Sequence, residues 1–159
     1  MTTLLEDKLA ALGYTLPTPF TYPSANRTGC VLVGNIAFVS GHGIGLPQLA
    51  DVRNGGKLGV DVSDAEGYAT ARAVGLSILA SLKAEFGSLD RVKRVIRLFG
   101  MVNCSPDFAG HAHVIDGASD LYHALFGPEY GCHARSAVGM SSLPRQIAVE
   151  INGEFEIRT

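Results

Sequence analysis

The chain has 159 residues, of which 47% are hydrophobic, enough for one domain with a sizeable core. No apolar run approaches the roughly 18 residues of a membrane span, and the first residues include acids where an export signal needs basic ones, so we expect a soluble, cytoplasmic protein. The net charge of −2 excludes any general attraction to nucleic acid. Three cysteines without framework spacing are typical of reduced thiols.

The N-terminal part of the chain predicts a helix, an arm and a hairpin. Thr3 and Glu6 have capping-box spacing and Gly13 follows, so a helix is expected over residues 3–12. Three prolines within residues 14–27 predict an extended arm. Two apolar runs flank Gly34-Asn35, a hairpin turn signal, which predicts strands over 30–33 and 36–39. We divide the chain into a helix and arm (1–26) and an α+β domain (27–159).

Residues 40–56 read as a glycine-rich loop, followed by a short strand over 57–60. The stretch from Gly41 to Gly45 superficially resembles a phosphate loop. It has neither the lysine of a Walker motif nor the helix that must follow a dinucleotide fingerprint, so nucleotide binding is disfavoured.

The second half of the chain predicts alternating helices and strands. Ser63 and Glu66 form a capping box that starts a helix ending at Phe86. A strand is expected over 92–102, a helix start at Pro106, a helix over 114–126, and two final strands around a Leu-Pro turn. The order is β-β-β-α-β-α-β-β. This order predicts a single α+β domain with a mixed β-sheet and two helices packed on one face.

The last two predicted strands carry the charges of greatest chemical interest. Arg135 begins one strand and Glu150 ends the next. If the two strands pair as a hairpin-like unit, these charges meet at its open end. A guanidinium binds a carboxylate bidentately, and a carboxylate holds or deprotonates a water. An Arg–Glu pair that only stabilises the sheet end is the alternative.

Other constellations are weaker. His111 and His113, and later Cys132 and His133, lack the spacing of known metal motifs, so we expect no metal and no other cofactor. No serine lies in a nucleophile elbow. The basic run from Arg91 to Arg97 is compatible with RNA contact or with a solvated strand face.

Several motifs resemble a known family. These are Arg135-Ser136, Leu143-Pro144 and Val149-Glu150-Ile151, with two glycine-containing stretches at 34–41 and 56–61. Together they resemble the Rid (reactive intermediate deaminase, or YjgF) family, formerly called endoribonuclease L-PSP, over residues 27–157. The resemblance implies a trimeric chorismate-mutase-like architecture, with clefts between neighbouring subunits. It also implies cofactor-independent hydrolysis of 2-imino or enamine acids to 2-oxo acids and ammonia.

The resemblance also assigns roles to residues. Arg135 is expected to hold the substrate carboxylate and Glu150 the attacking water, with substrate contacts near Ser40-Gly41 and at Ala137. Some members have a cysteine at the position of Ala137. Many have asparagine at that of Asp116, so a substrate-binding position is expected to have a negative charge here. Two rival functions remain: a non-catalytic trimer that binds 2-oxo acids, and an RNA endonuclease, as the older family name states.

Overall fold

The structure is a computed structural model that describes residues 4–44 and 55–159. Three helices and five strands follow the chain in the order α1 (Leu5–Ala11), β1 (Cys30–Val33), β2 (Ile36–His42), α2 (Asp64–Phe86), β3 (Val92–Asn103), α3 (His111–Tyr130), β4 (Ala134–Met140) and β5 (Val149–Ile157). The strands form one mixed sheet in the order β1-β2-β5-β3-β4. Strands β3 and β4 run parallel, whereas the other neighbours run antiparallel. The predicted α+β class and mixed sheet are confirmed.

The sequence predicts the boundaries of helix α2 better than those of helix α3. Helix α2 has the predicted capping box, in which Ser63 and Glu66 each bond the other's backbone N–H, and it ends at Gly87 with φ 81°. Helix α3 begins at His111, earlier than predicted, and contains a kink at Gly127. The helix start predicted at Pro106 is wrong. The Phe108 N–H donates to the Ser105 carbonyl, so Pro106 lies in a β-turn, where its fixed φ is equally suited.

Three predictions for the first half of the chain need correction. Helix α1 is preceded by Leu4 without a side-chain cap, and Thr3 lies outside the described residues. Strand β2 continues through His42, so the predicted loop begins later than expected, and residues 45–54 of that loop are outside the description. The strand predicted over 57–60 is wrong. The Lys57 carbonyl accepts the N–H groups of residues 60, 61 and 62, which closes a turn instead.

The hairpin predicted for the last two strands is also wrong, because β3 lies between β4 and β5. Helix α3 returns the chain so that β4 pairs parallel with β3, and a crossover of this kind is how parallel neighbours are joined. Strand β5 then pairs antiparallel with the other edge of β3. The central position of the sheet therefore belongs to β5, between β2 and β3, and β3 lies between β5 and the edge strand β4.

The sheet has a helix face, covered by α2 and α3, and an open face. Alternation along β5 places Ile151 and Phe155, both fully buried, on the helix face. On the open face the exposed apolar side chains of Val31, Val33 and Phe38 lie together near the β1 edge. Within the described residues, no helix is long and apolar enough to cross a membrane. The two faces separate the candidate site residues.

Candidate functional site

Arg135 lies on the helix face of β4 and is held by two side chains of α3. Its Nη1 donates to Asp116 Oδ1 at 2.6 Å and to Ser119 Oγ at 3.0 Å. The Arg135 side chain is 20% exposed and lines a cleft of about 490 Å³. Within the part of the chain that the structure describes, its Nε and Nη2 have no protein partner. One edge of the guanidinium is therefore anchored, while the other is available to a bidentate acceptor.

His133 supports this arrangement through Ser119. Its Nδ1 lies 2.6 Å from the Gly131 carbonyl, which only accepts, so Nδ1 carries the proton. Its Nε2, 3.0 Å from Ser119 Oγ, then accepts from the hydroxyl, which in turn accepts from Arg135. Burial, opposed by the bond to Gly131 and assisted by the Arg135 charge, lowers the pKa of His133. We call Arg135, Asp116, Ser119 and His133 the arginine cluster.

The cleft beside the arginine cluster is lined by two carboxylates, Asp116 and Asp120, and by one guanidinium, that of Arg135. Asp120, one helical turn after Asp116, also lines it and accepts a hydrogen bond from the Tyr68 hydroxyl at 2.7 Å. The Asp116 side chain is 43% exposed, so water screens its attraction to Arg135. Asp116 still offsets part of the positive charge that a substrate carboxylate would meet.

Glu150 lies on the open face of β5, against the backbone of β2. A Cβ built on Gly41 would overlap Glu150 Oε1, so the glycine is what allows this carboxylate to approach the strand. Burial raises the pKa of Glu150. The Tyr22 ring from the N-terminal arm is close enough to interact with both Ser40 and Glu150, and burial raises the pKa of its phenol. We call Glu150, Gly41, Ser40 and Tyr22 the glutamate cluster.

A β-bulge shapes the glutamate cluster. Val39 pairs with Gly153 but His42 pairs with Ile151, so β2 contains one residue more than β5 in this interval. The bulge contains Ser40, whose N–H donates to the Gly29 carbonyl at 2.9 Å and whose hydroxyl donates to the Thr28 carbonyl at 2.6 Å. Bulges of this kind redirect side chains and backbone groups locally. The extra residue presents the Ser40-Gly41 backbone to Glu150.

The structure therefore brings the predicted residues into two groups rather than one. Arg135 is level with Leu98 of β3 on the helix face, whereas Glu150 is level with Met101 on the open face. The two charges do not meet within one chain, and this excludes both the predicted contact and a simple Arg–Glu ion pair.

The other predicted site residues divide between the two clusters. Asp116 joins Arg135, and Ser40 and Gly41 join Glu150. Ala137 follows Arg135 on the helix face and packs against the core.

Sequence reasoning missed Ser119 and Tyr22, and it considered His133 only as a possible metal ligand. Ser119 follows Asp116 by three residues, a spacing that places both on one side of a helix, so this residue had a usable signal. Tyr22 had none. It lies in an arm without periodicity, and only the folded path of residues 14–27 brings its ring beside Ser40.

The weaker constellations remain without support as sites. Among residues 4–44 and 55–159, no three potential metal-binding side chains come together. His111 lies in the first turn of α3, where its Nε2 is 3.4 Å from Cys104 Sγ. We interpret this contact as an interaction between helix α3 and the end of strand β3.

The basic run on β3 is engaged within the protein. Lys93 Nζ lies 2.8 Å from a Glu156 carboxylate oxygen. Arg97 forms a bidentate pair with Glu154, at 2.8 and 2.7 Å. Arg91 and Arg94 donate to backbone carbonyls. Acidic residues of β5 thus offset the charge that an RNA phosphate would require.

Fold and sequence comparisons agree on the class of protein. The family model described as "YjgF/chorismate_mutase-like, putative endoribonuclease" matches residues 6–149. The chain belongs to this family.

Three relatives are similar over nearly the whole chain. "Protein TCP17" of Trypanosoma cruzi is 42% identical over 151 residues, covering 94% of this chain and 91% of the relative. The crystal structure of Atu1372, a protein "with unknown function" from Agrobacterium tumefaciens, is 38% identical with a TM-score of 0.85, covering 97% and 92%. A "putative endoribonuclease" from Shewanella oneidensis is 32% identical with a TM-score of 0.87, covering 97% and 99%.

Proposed function

We propose that the protein hydrolyses reactive 2-imino or enamine acids to 2-oxo acids and ammonia. The observation that carries this proposal is the hydrogen bonding of the Arg135 guanidinium. Asp116 and Ser119 fix one edge of its guanidinium, and the Nε–Nη2 edge lacks a partner within the described residues, beside a cleft. A rigid fork of two donors is suited to a planar carboxylate, which every such substrate has.

The reaction needs little more than positioning. A protonated imine carbon is already electrophilic, so a water held about 3 Å away can attack it. Glu150 takes a proton from this water as the C–O bond forms, giving a tetrahedral amino alcohol. Glu150 returns this proton to nitrogen, and as the C–N bond breaks the hydroxyl group gives up its own proton and becomes the carbonyl. The products are the 2-oxo acid and ammonia, which takes up the released proton as ammonium. The raised pKa of Glu150 brings its affinity for a proton closer to what such a relay requires.

No cysteine is available at the position after Ser136 that some family members fill with one, since Ala137 stands there. The proposed reaction therefore proceeds without a covalent intermediate at this position. Asp116 serves as an anchor for Arg135 and lies beside the place where a cationic imine would bind.

We further propose that each site is assembled between two subunits of a homotrimer. The separation of the arginine and glutamate clusters on opposite faces supports this, because a substrate that touches both must lie between two copies of the chain. The exposed Val31, Val33 and Phe38 on the open face offer an apolar surface for such contact. Cyclic trimers use head-to-tail interfaces, which bring different surfaces of neighbouring subunits together.

The proposal is tested by generating imines from several amino acids in situ and measuring ammonia release with and without the protein. We expect acceleration that depends on Arg135. Binding of 2-oxo acids without acceleration would instead indicate the non-catalytic trimer. Degradation of RNA that is lost when Arg91, Lys93, Arg94 and Arg97 are neutralised would indicate the nuclease.

A further inference from the structure

His42 directly follows the Ser40-Gly41 bulge but is not part of the glutamate cluster. Its side chain points to the helix face and is only 3% exposed. Nδ1 lies 2.7 Å from the Ser40 carbonyl, and Nε2 lies 2.8 Å from Ser81 Oγ on α2. The imidazole therefore connects the backbone of the bulge to the largest helix of the fold.

The chemistry of the two partners defines the state of the ring. A carbonyl only accepts, so Nδ1 carries the proton and donates to Ser40; Nε2 then accepts from the Ser81 hydroxyl. Burial lowers the pKa of His42, which agrees with a neutral ring. A neutral ring with both nitrogens bonded has one orientation, and this orientation determines where the Ser40 carbonyl lies.

The bulge has few other constraints on this side. An extra residue in one strand loses ladder hydrogen bonds, so its conformation depends on local contacts. Outside the ladder, Ser40 is held by its hydrogen bonds to Thr28 and Gly29, which directly precede β1, and by His42 on the helix face. A shift of the bulge would move Gly41, against which Glu150 rests.

We infer that His42 is a positioning residue that holds the Ser40-Gly41 bulge, and through it the carboxylate of Glu150, by the Nδ1–H bond to the Ser40 carbonyl. This inference rests on the proposed function for its catalytic consequence. It has a structural consequence that is independent of any substrate, namely the stability of the bulge itself.

Two substitutions separate the roles of the ring nitrogens. In His42→Asn the side-chain amide can take the place of Nδ1 and still donate to Ser40. In His42→Gln the amide reaches the place of Nε2 and leaves the Ser40 carbonyl without that donor. Ser81→Ala cuts the other bond of the ring and serves as the matched control.

We expect His42→Gln to lower kcat for imine hydrolysis about tenfold with little change in KM, since it disturbs the water-activating group rather than the carboxylate site. His42→Asn should recover most of the lost kcat, and Ser81→Ala should have a smaller effect than His42→Gln. Equal loss in all three variants, or wild-type kcat in His42→Gln, would overturn the inference.

Amide hydrogen exchange distinguishes a failure of this inference from a failure of the proposed function. The Ser40 N–H, bonded to Gly29, should exchange about tenfold faster in His42→Gln than in the wild type or in His42→Asn. If the wild type hydrolyses no imine, the proposed function fails and the exchange rates alone decide whether His42 holds the bulge. Unchanged exchange in His42→Gln would contradict the positioning role.

Discussion

At the scale of single residues, the binding of a substrate carboxylate by Arg135 should depend on the geometry of its donors as much as on its charge. Arg135→Lys keeps a cation but loses the fork, and a hydrogen bond to a charged group is worth about 1.5–3 kcal/mol. We expect kcat/KM for imine hydrolysis to fall roughly ten- to hundredfold, with the protein still folded. Arg145→Lys, the same exchange at an exposed loop position, should have no effect. Equal activity of both variants would refute the role of Arg135.

Glu150 should confer a pH dependence on kcat. A general base acts when ionised, and burial raises the pKa of Glu150, so kcat should increase with pH through a pKa higher than that of an ordinary glutamate. Glu150→Gln should lower kcat about a hundredfold or more and remove the decrease in kcat at low pH, the acid limb of the pH profile. Glu154→Gln, on the same face of β5, is the control. An acid limb that persists in Glu150→Gln must belong to another group.

Asp116 should weaken the binding of carboxylates while anchoring Arg135. Asp116→Asn keeps an oxygen that can accept from Nη1 but removes the negative charge, so the net field of Arg135 increases. Because the side chain is partly exposed, we expect only about a three- to tenfold decrease in Kd for a 2-oxo acid, smaller at high salt. Titration calorimetry measures this, with Asp107→Asn as an exposed control. A weaker complex in Asp116→Asn would mean that the anchor matters more than the charge.

The residues of the site were predictable to different extents for a physical reason. Arg135, Glu150, Ser40 and Gly41 lie in short motifs that can be recognised in the local sequence. The contacts Arg135–Asp116 and Tyr22–Ser40 could not be predicted, because each joins separate elements of the fold. The expected meeting of Arg135 and Glu150 failed because it assumed which strands are neighbours.

At the scale of elements, the approach of α2 to α3 depends on a glycine. A Cβ on Gly117 would overlap the Tyr68 carbonyl oxygen, which belongs to rigid helix backbone. We expect Gly117→Ala to destabilise the fold by about 3 kcal/mol despite the better helix propensity of alanine. Gly75→Ala is the matched control, since its Cβ would meet the flexible end of Leu121 at 3.2 Å. Chemical denaturation should separate the two variants, and similar midpoints would contradict this packing.

Elements with strong local signals were predicted well. Helix α2 has both its capping box and its terminal Gly87, and the β1–β2 hairpin has its Gly-Asn turn. The strand expected over 57–60 and the helix start at Pro106 failed, because tight turns use the same residue types. The order of strands could not be inferred, because the packing of α3 on the sheet decides that β4 returns beside β3.

At the scale of the whole molecule, the two clusters act together only if copies of the chain associate. A trimer of the 16.7 kDa chain has a mass of about 50 kDa, which light scattering can measure. In a cyclic trimer, each site would take its arginine cluster from one subunit and its glutamate cluster from the next. A monomer at micromolar concentration would rule out this arrangement.

The most direct test of this account is complementation between two inactive variants. Arg135→Ala and Glu150→Gln are unfolded together in equal amounts, refolded, and assayed for imine hydrolysis. If each site takes Arg135 from one subunit and Glu150 from another, about one quarter of the sites in randomly mixed trimers contain both wild-type residues, and activity should return to about a quarter of the wild-type value. Mixed trimers with no more activity than the separate variants would contradict a site shared between subunits.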